Sequence, residues 1–164
     1  MRQVILLRSA LAALLVAAAP AALAQGASRP SAVLMRQWAE ETAYAYLQAW
    51  SAGGSQVPID VGDFYGPRVS FFGRTVDRRS LYEEKRRFAR RWPVRRYGHR
   101  PGTMTVSCTV EAQACLVRSV VDWTAASPAR GAVSRGSSRF ELGIGFAGPR
   151  PVVLFERGSV IGRG

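Results

Sequence analysis

Between residues 32 and 52 the apolar side chains fall three or four positions apart, at Met35, Trp38, Ala39, Ala43, Tyr46, Leu47 and Trp50. Gln37, Glu41, Tyr44, Gln48 and Ser51 take the opposite side, so this stretch is predicted to be a one-sided amphipathic helix. Gly53-Gly54 ends it, and residues 55–67 read as a loop with a helical turn. Val69 to Phe72 predicts a short strand closed by Gly73. Ser80-Leu81-Tyr82-Glu83 has the form of a capping box and opens a second helix. Leu81, Lys85, Phe88 and Trp92 form one stripe of that helix, with Arg79, Glu83, Arg86 and Arg90 roughly opposite. Pro93 stops it, because the residue before a proline avoids helical dihedrals. Beyond Pro93 the period falls to two. Met104, Val106, Cys108 and Val110 share one face of 103–110, and Cys115, Val117, Val121 and Trp123 share one face of 115–123. A hairpin turn at 111–114 brings the two faces together. Ser127-Pro128-Ala129-Arg130-Gly131 is a turn cluster. Residues 133–147 then alternate Phe140, Leu142, Ile144 and Phe146 against Arg135, Ser137, Arg139 and Glu141, and a last strand covers 152–161. Helices followed by a run of hairpin-linked strands give an α+β expectation, with helices on one face of a curved sheet.

One apolar run belongs to neither pattern. Arg2 and Arg8 flank the stretch from Val4 to Ala19, which closes on Ala22-Leu23-Ala24. A basic start, an apolar middle and a small-x-small end are the signature of a cleaved export signal, expected over 1–24. Arg8 and Pro20 leave the run short of the ~20 residues that a membrane-spanning helix needs. Residues 25–31 are a short polar leader, and 32–162 are expected to form one domain, periplasmic or secreted and not membrane-spanning. In an oxidising compartment Cys108 and Cys115, on coinciding strand faces, are expected to bond to each other. With one histidine, His99, the sequence predicts no metal site, and it points to no cofactor.

The charge changes the picture of partners. Lys and Arg number 23 against 11 acids, a formal net charge of +12, and all the basic residues but Lys85 are arginines. From Arg78 to Arg100 nine arginines and Lys85 face only Glu83 and Glu84. Arg79, Arg86, Arg87, Arg90 and Arg91 form a basic helical patch that would attract anions at long range. For an exported chain the expected partners are an anionic small molecule, an envelope polymer or an acidic protein rather than nucleic acid. A solvated helix face is the plainer reading of the same arginines.

Three stretches, together with the element order, carry a resemblance. They are Phe64-Tyr65-Gly66-Pro67-Arg68-Val69-Ser70-Phe71-Phe72-Gly73, Arg91-Trp92-Pro93-Val94-Arg95-Arg96-Tyr97 and Val121-Asp122-Trp123. Over roughly residues 32–162 the chain resembles the nuclear-transport-factor-like, or SnoaL-like, cone superfamily. The resemblance implies a curved antiparallel sheet wrapped around a conical cavity, with the N-terminal helices packed on its concave face. Members include isomerases, cyclases and dehydratases as well as modules without chemistry, so fold alone does not choose.

Candidate site residues follow. Lys85 lies on an apolar stripe, which makes it either a polar group inside the cavity, paired with Asp122 or Glu156, or a lysine whose stem packs while its amine reaches water. Asp122 would face the cavity or pair with an arginine. Tyr65, Trp92, Tyr97 and Trp123 would line a pocket or simply build the core, and Arg95 joins the ligand-binding candidates. His99 could act as an acid or base near neutral pH, and its plainer reading is a solvated loop histidine. The leading functional expectation is an exported, non-catalytic binding or accessory domain with a conical pocket and an arginine-rich helix. The alternative is an isomerase, cyclase or dehydratase with Asp122 or Glu156 as base and Lys85, Tyr97 or Arg95 stabilising the developing anion. A third expectation is a homodimer through the open face of the sheet, which exposed aromatics on 133–147 would favour.

Overall fold

The computed structural model describes residues 30–51, 53 and 63–164. The expected export signal, residues 25–29 of the leader and most of the loop at 55–67 lie outside the described residues. Among those described, no helix is long and apolar enough to cross a membrane.

Helix α1 spans Ala32–Ser51 and buries the predicted stripe of Met35, Ala39, Ala43, Tyr46, Leu47 and Trp50. Strand β1, Tyr65–Phe71, starts four residues earlier than the alternation at Val69 suggested, and Phe72 and Gly73, both at positive φ, turn it into β2, Arg74–Asp77. Four residues are too few to show a period, which is why β2 escapes the sequence pattern. Helix α2, Arg78–Arg91, is capped by Asp77 rather than by Ser80. The Asp77 carboxylate accepts the backbone N–H of Ser80 at 2.9 Å and its hydroxyl at 2.6 Å, so Ser80 is a donor inside the first turn. Phe88, expected on the buried stripe, is 40% exposed, and Ala89 is buried instead.

The remaining strands are β3 (Val94–His99), β4 (Thr105–Thr109), β5 (Ala114–Ser127), β6 (Ala132–Gly145) and β7 (Val152–Arg163). The sheet runs β2-β1-β7-β6-β5-β3, with β4 beside β3 along the same edge of β5. It is mixed rather than purely antiparallel, because β1 pairs parallel with β7. Cys108 and Cys115 sit directly opposite each other in the β4–β5 ladder and form the expected disulfide.

Register shifts in the β6–β7 ladder fall at Ser137/Ser138 and Gly143/Ile144. Such bulges add twist and bend a sheet, here around α1. The second one also changes phase. Ile144 faces Val153 and Gly143 faces Phe155, so Leu154 is an extra residue on β7. Upstream of it Val153 points inward; downstream Glu156 does. Gly143 is required beneath Phe155, because a Cβ there would lie 2.3 Å from the ring. The core joins the α1 stripe to Val117, Val121, Phe140, Leu142, Ile144 and Val153 on the concave face. Phe140 and Phe146 are buried in it, so residues 133–147 expose no aromatic that would favour pairing through this face.

Candidate functional site

Four elements converge on one buried polar cluster. α1 contributes Tyr46, the start of β1 Tyr65, α2 Lys85 one turn after the buried Leu81, and β7 Glu156, turned inward by the Leu154 bulge. The Glu156 Oε2 atom accepts from the Tyr46 hydroxyl at 2.5 Å, Lys85 Nζ at 2.9 Å and the Tyr65 hydroxyl at 3.1 Å. Lys85 Nζ also donates to the Tyr46 oxygen at 2.8 Å, and the two tyrosine oxygens are 2.6 Å apart. Among the described residues Glu156 Oε1 accepts only from Lys85, at 3.1 Å, and so keeps accepting capacity. Rings surround the ammonium, with Trp50 at 4.3 Å, Phe71 at 4.9 Å and Tyr46 at 5.4 Å from their centroids. Lys85 is therefore held between a carboxylate and aromatic faces, with 11% of its side chain exposed.

Burial sets the electrostatics. It pushes the Lys85 ammonium below the ordinary lysine range, opposed by the attraction of Glu156. The Tyr46 and Tyr65 phenols are driven far above the usual tyrosine value, first by burial and then by the Glu156 charge. The Trp50 indole N–H stands beside the Tyr65 hydroxyl, close enough to favour its phenolate form yet outside hydrogen-bonding geometry.

Above this cluster opens a cavity of about 540 Å³. Its walls are Leu47, Trp50, Phe71, Tyr97, Val121, Trp123 and Phe140, and its outer edge is formed by Phe72, Phe88, Val160, Arg74 and Glu84. Tyr97, opposite Trp123 in the β3–β5 ladder, has its phenol raised by burial to about 12. A separate hollow of about 580 Å³, by Trp38, Phe146 and Pro149, has at its edge the exposed Asp63–Arg150 ion pair and Glu41.

The sequence candidates divide accordingly. Lys85, Tyr97, Trp123 and Glu156 line the cavity, and Tyr65 supports its floor through Glu156. Asp122 does not face it: on the outer side of the sheet it holds Arg100 at 2.6 Å and accepts from Ser137 at 2.6 Å, and both contacts hold its carboxyl below the usual range. Arg95 is buried yet points at backbone rather than ligand space. Its guanidinium donates to the carbonyls of Trp50 at 3.1 Å, Ala89 at 3.3 Å and Trp92 at 2.6 Å, closing the ends of both helices. Trp92 lies under the Arg130 guanidinium, 4.8 Å from its ring centroid, away from the cavity walls. His99 is on β3, not in a loop. Its Nε2 faces the Ala43 carbonyl at 3.2 Å and therefore carries the proton, leaving Nδ1 to accept from the Ser119 hydroxyl at 2.8 Å. Burial lowers its pKa, which favours that neutral form. Arg79, Arg86, Arg87, Arg90 and Arg91 are all exposed on α2. Tyr46 went unnoticed in the sequence because a tyrosine at helical spacing reads as core. Among the described residues, no three His, Cys, Asp or Glu side chains are placed to hold a metal ion.

Helices on the concave side of an open, curved seven-stranded sheet, with a cavity between them, define the nuclear-transport-factor-like cone fold. Solved structures agree on it. A nuclear transport factor 2-like superfamily protein of Salmonella enterica serovar Typhimurium superposes with a TM-score of 0.65 at 10% identity, covering 79% of this chain and 93% of that one. A protein of Novosphingobium aromaticivorans, provisionally named a scytalone dehydratase, gives 0.63 at 8% identity, covering 78% and 85%. A provisionally named calcium/calmodulin-dependent protein kinase II association domain of Xanthomonas campestris gives 0.59 at 14% identity, covering 75% and 87%. These likenesses concern the fold. No family model matches the sequence, and no curated protein matches it.

Proposed function

We propose that the protein is a non-catalytic binding domain whose cone cavity takes a small, mainly apolar molecule with one hydrogen-bonding group. The observation that carries this reading is the cavity floor. Lys85 and Glu156 neutralise each other there, and Glu156 Oε1 keeps accepting capacity beneath aromatic walls. An O–H or N–H donor on the ligand would complete the site, and the apolar body would displace water from the walls. This reading replaces the expected anionic ligand with a neutral amphiphile, since Lys85 in the cavity floor already has its counter-charge. The apolar run at 1–24 and the disulfide support a place of work outside the cytoplasm.

The isomerase, cyclase or dehydratase reading is supported less. Asp122 is on the far side of the sheet, and Glu156 is engaged by an ammonium and two phenols. Protonating Glu156 would remove the counter-charge of the buried Lys85 ammonium, which makes it a costly base.

Naphthol, flat and apolar with one hydroxyl, tests the binding reading through quenching of tryptophan fluorescence, since Trp50 and Trp123 both line the cavity. Saturable quenching by naphthol, weaker quenching by naphthalene sulfonate, and loss of both in Val160→Trp, which plugs the exposed edge, are expected. Unsaturable quenching, or quenching that Val160→Trp leaves intact, overturns it.

A further inference from the structure

The cavity opens beside the arginine helix, and its outer edge is itself apolar. Phe72, Phe88 and Val160 line the cavity and are still 51%, 40% and 50% exposed. Glu84, Phe88 and Arg91 succeed one another at four- and three-residue spacing along α2, and Arg87 stands three positions from Glu84. They therefore share one side of the helix. On that side Glu84 is cancelled by Arg74 at 3.1 Å, while neither Arg87 nor Arg91 takes part in an ion pair among the described residues. The mouth is thus an apolar ring bordered by uncompensated positive charge.

We propose that this face docks on an anionic lipid bilayer, with Phe72, Phe88 and Val160 entering the interface and Arg87 and Arg91 meeting lipid phosphates, so that the cavity opens toward the membrane. Both halves of the patch fit that occupant. Arginines alone would suit any polyanion, but a polymer has no use for three exposed apolar side chains among them. A second copy of the chain is disfavoured, because joining two such faces sets arginine against arginine. On the outer face of the sheet the arginines are compensated instead: Arg118 and Arg157 both pair with Glu141. The proposal rests on the cavity reading only for what passes through the mouth; docking stands on the rim itself.

Vesicle flotation of the full chain tests it, with every variant in the same background so that residues 1–24 contribute equally. Vesicles of phosphatidylcholine are compared with vesicles containing ~30% phosphatidylglycerol, the range in which surface charge attracts basic segments. Binding should favour the anionic vesicles and weaken as salt shortens the screening length. Arg87→Glu/Arg91→Glu should reduce it at least ~10-fold while naphthol quenching is unchanged. Phe88→Ser should also reduce it, and Arg79→Glu/Arg90→Glu, on the far side of α2, should reduce it much less. Equal loss from the two charge reversals, or no preference for anionic lipid, overturns the proposal. So does binding to soluble dextran sulfate as strong as to vesicles and insensitive to Phe88→Ser, which would mark an envelope-polymer site. If vesicles bind as expected and naphthol does not, the docking stands and the cavity reading falls.

Discussion

Replacing Lys85 with Met would leave the Glu156 carboxylate buried with two phenols and no cation. Breaking a buried pair this way costs about 3–5 kcal/mol, whereas removing both charges in Lys85→Met/Glu156→Leu should recover most of that loss in urea unfolding. Recovery would show that the pair is kept for what it offers the cavity rather than for stability. Tyr46, Tyr65 and Tyr97 predict the alkaline limit. Their folded pKa values lie above the unfolded value near 10, so the native state holds protons that the unfolded chain has already lost. Stability should therefore fall from about pH 10 upward, with the phenolate absorbance of these three appearing together with unfolding. Lys85, shifted down, works in the opposite sense, but over the window below its unfolded value, whereas the phenols act above theirs. The sequence showed that Lys85 and Glu156 were out of place among apolar neighbours. It could not show that they meet, because that depends on a bulge at Leu154 which reverses the strand phase.

The elements with a clear period, α1 and the long strands, were legible from side-chain spacing alone. Those defined by single contacts were not: β2 is four residues, and β3 follows Pro93 with arginines at both faces. Arg95 illustrates the difference. In the sequence it is one of many arginines; in the fold it sits at the ends of two helices and satisfies three carbonyls. Arg95→Met should lower stability by about 2–4 kcal/mol, and Arg95→Lys should rescue little, since an ammonium cannot span the three acceptors as the planar fork does. Denaturant titration of both variants, with far-ultraviolet dichroism to follow helix content, checks this.

For the molecule as a whole, the resemblance of order and motif was enough to anticipate the cone, since layers and hairpins follow from hydrophobic patterning. The mixed character of the sheet was not, because pairing of β1 with β7 joins segments far apart in the chain. The disulfide works locally at the β4–β5 hairpin, where it closes a loop of sequence separation 7. Its reduction should cost about 2.5 kcal/mol by loop entropy and leave naphthol binding intact, read as a shift of the urea midpoint at unchanged slope. The parallel pairing has a different consequence. Every wall of the hollow except β7 is encoded before Gly145, yet the carboxylate on which Lys85 and both phenols converge arrives only with that final strand. During synthesis the Lys85 ammonium has no counter-charge at this site until residue 156 emerges. Assembly of the site is thus a late, all-at-once event, and a chain cut short in β7 would be left with a half-built vessel and no floor.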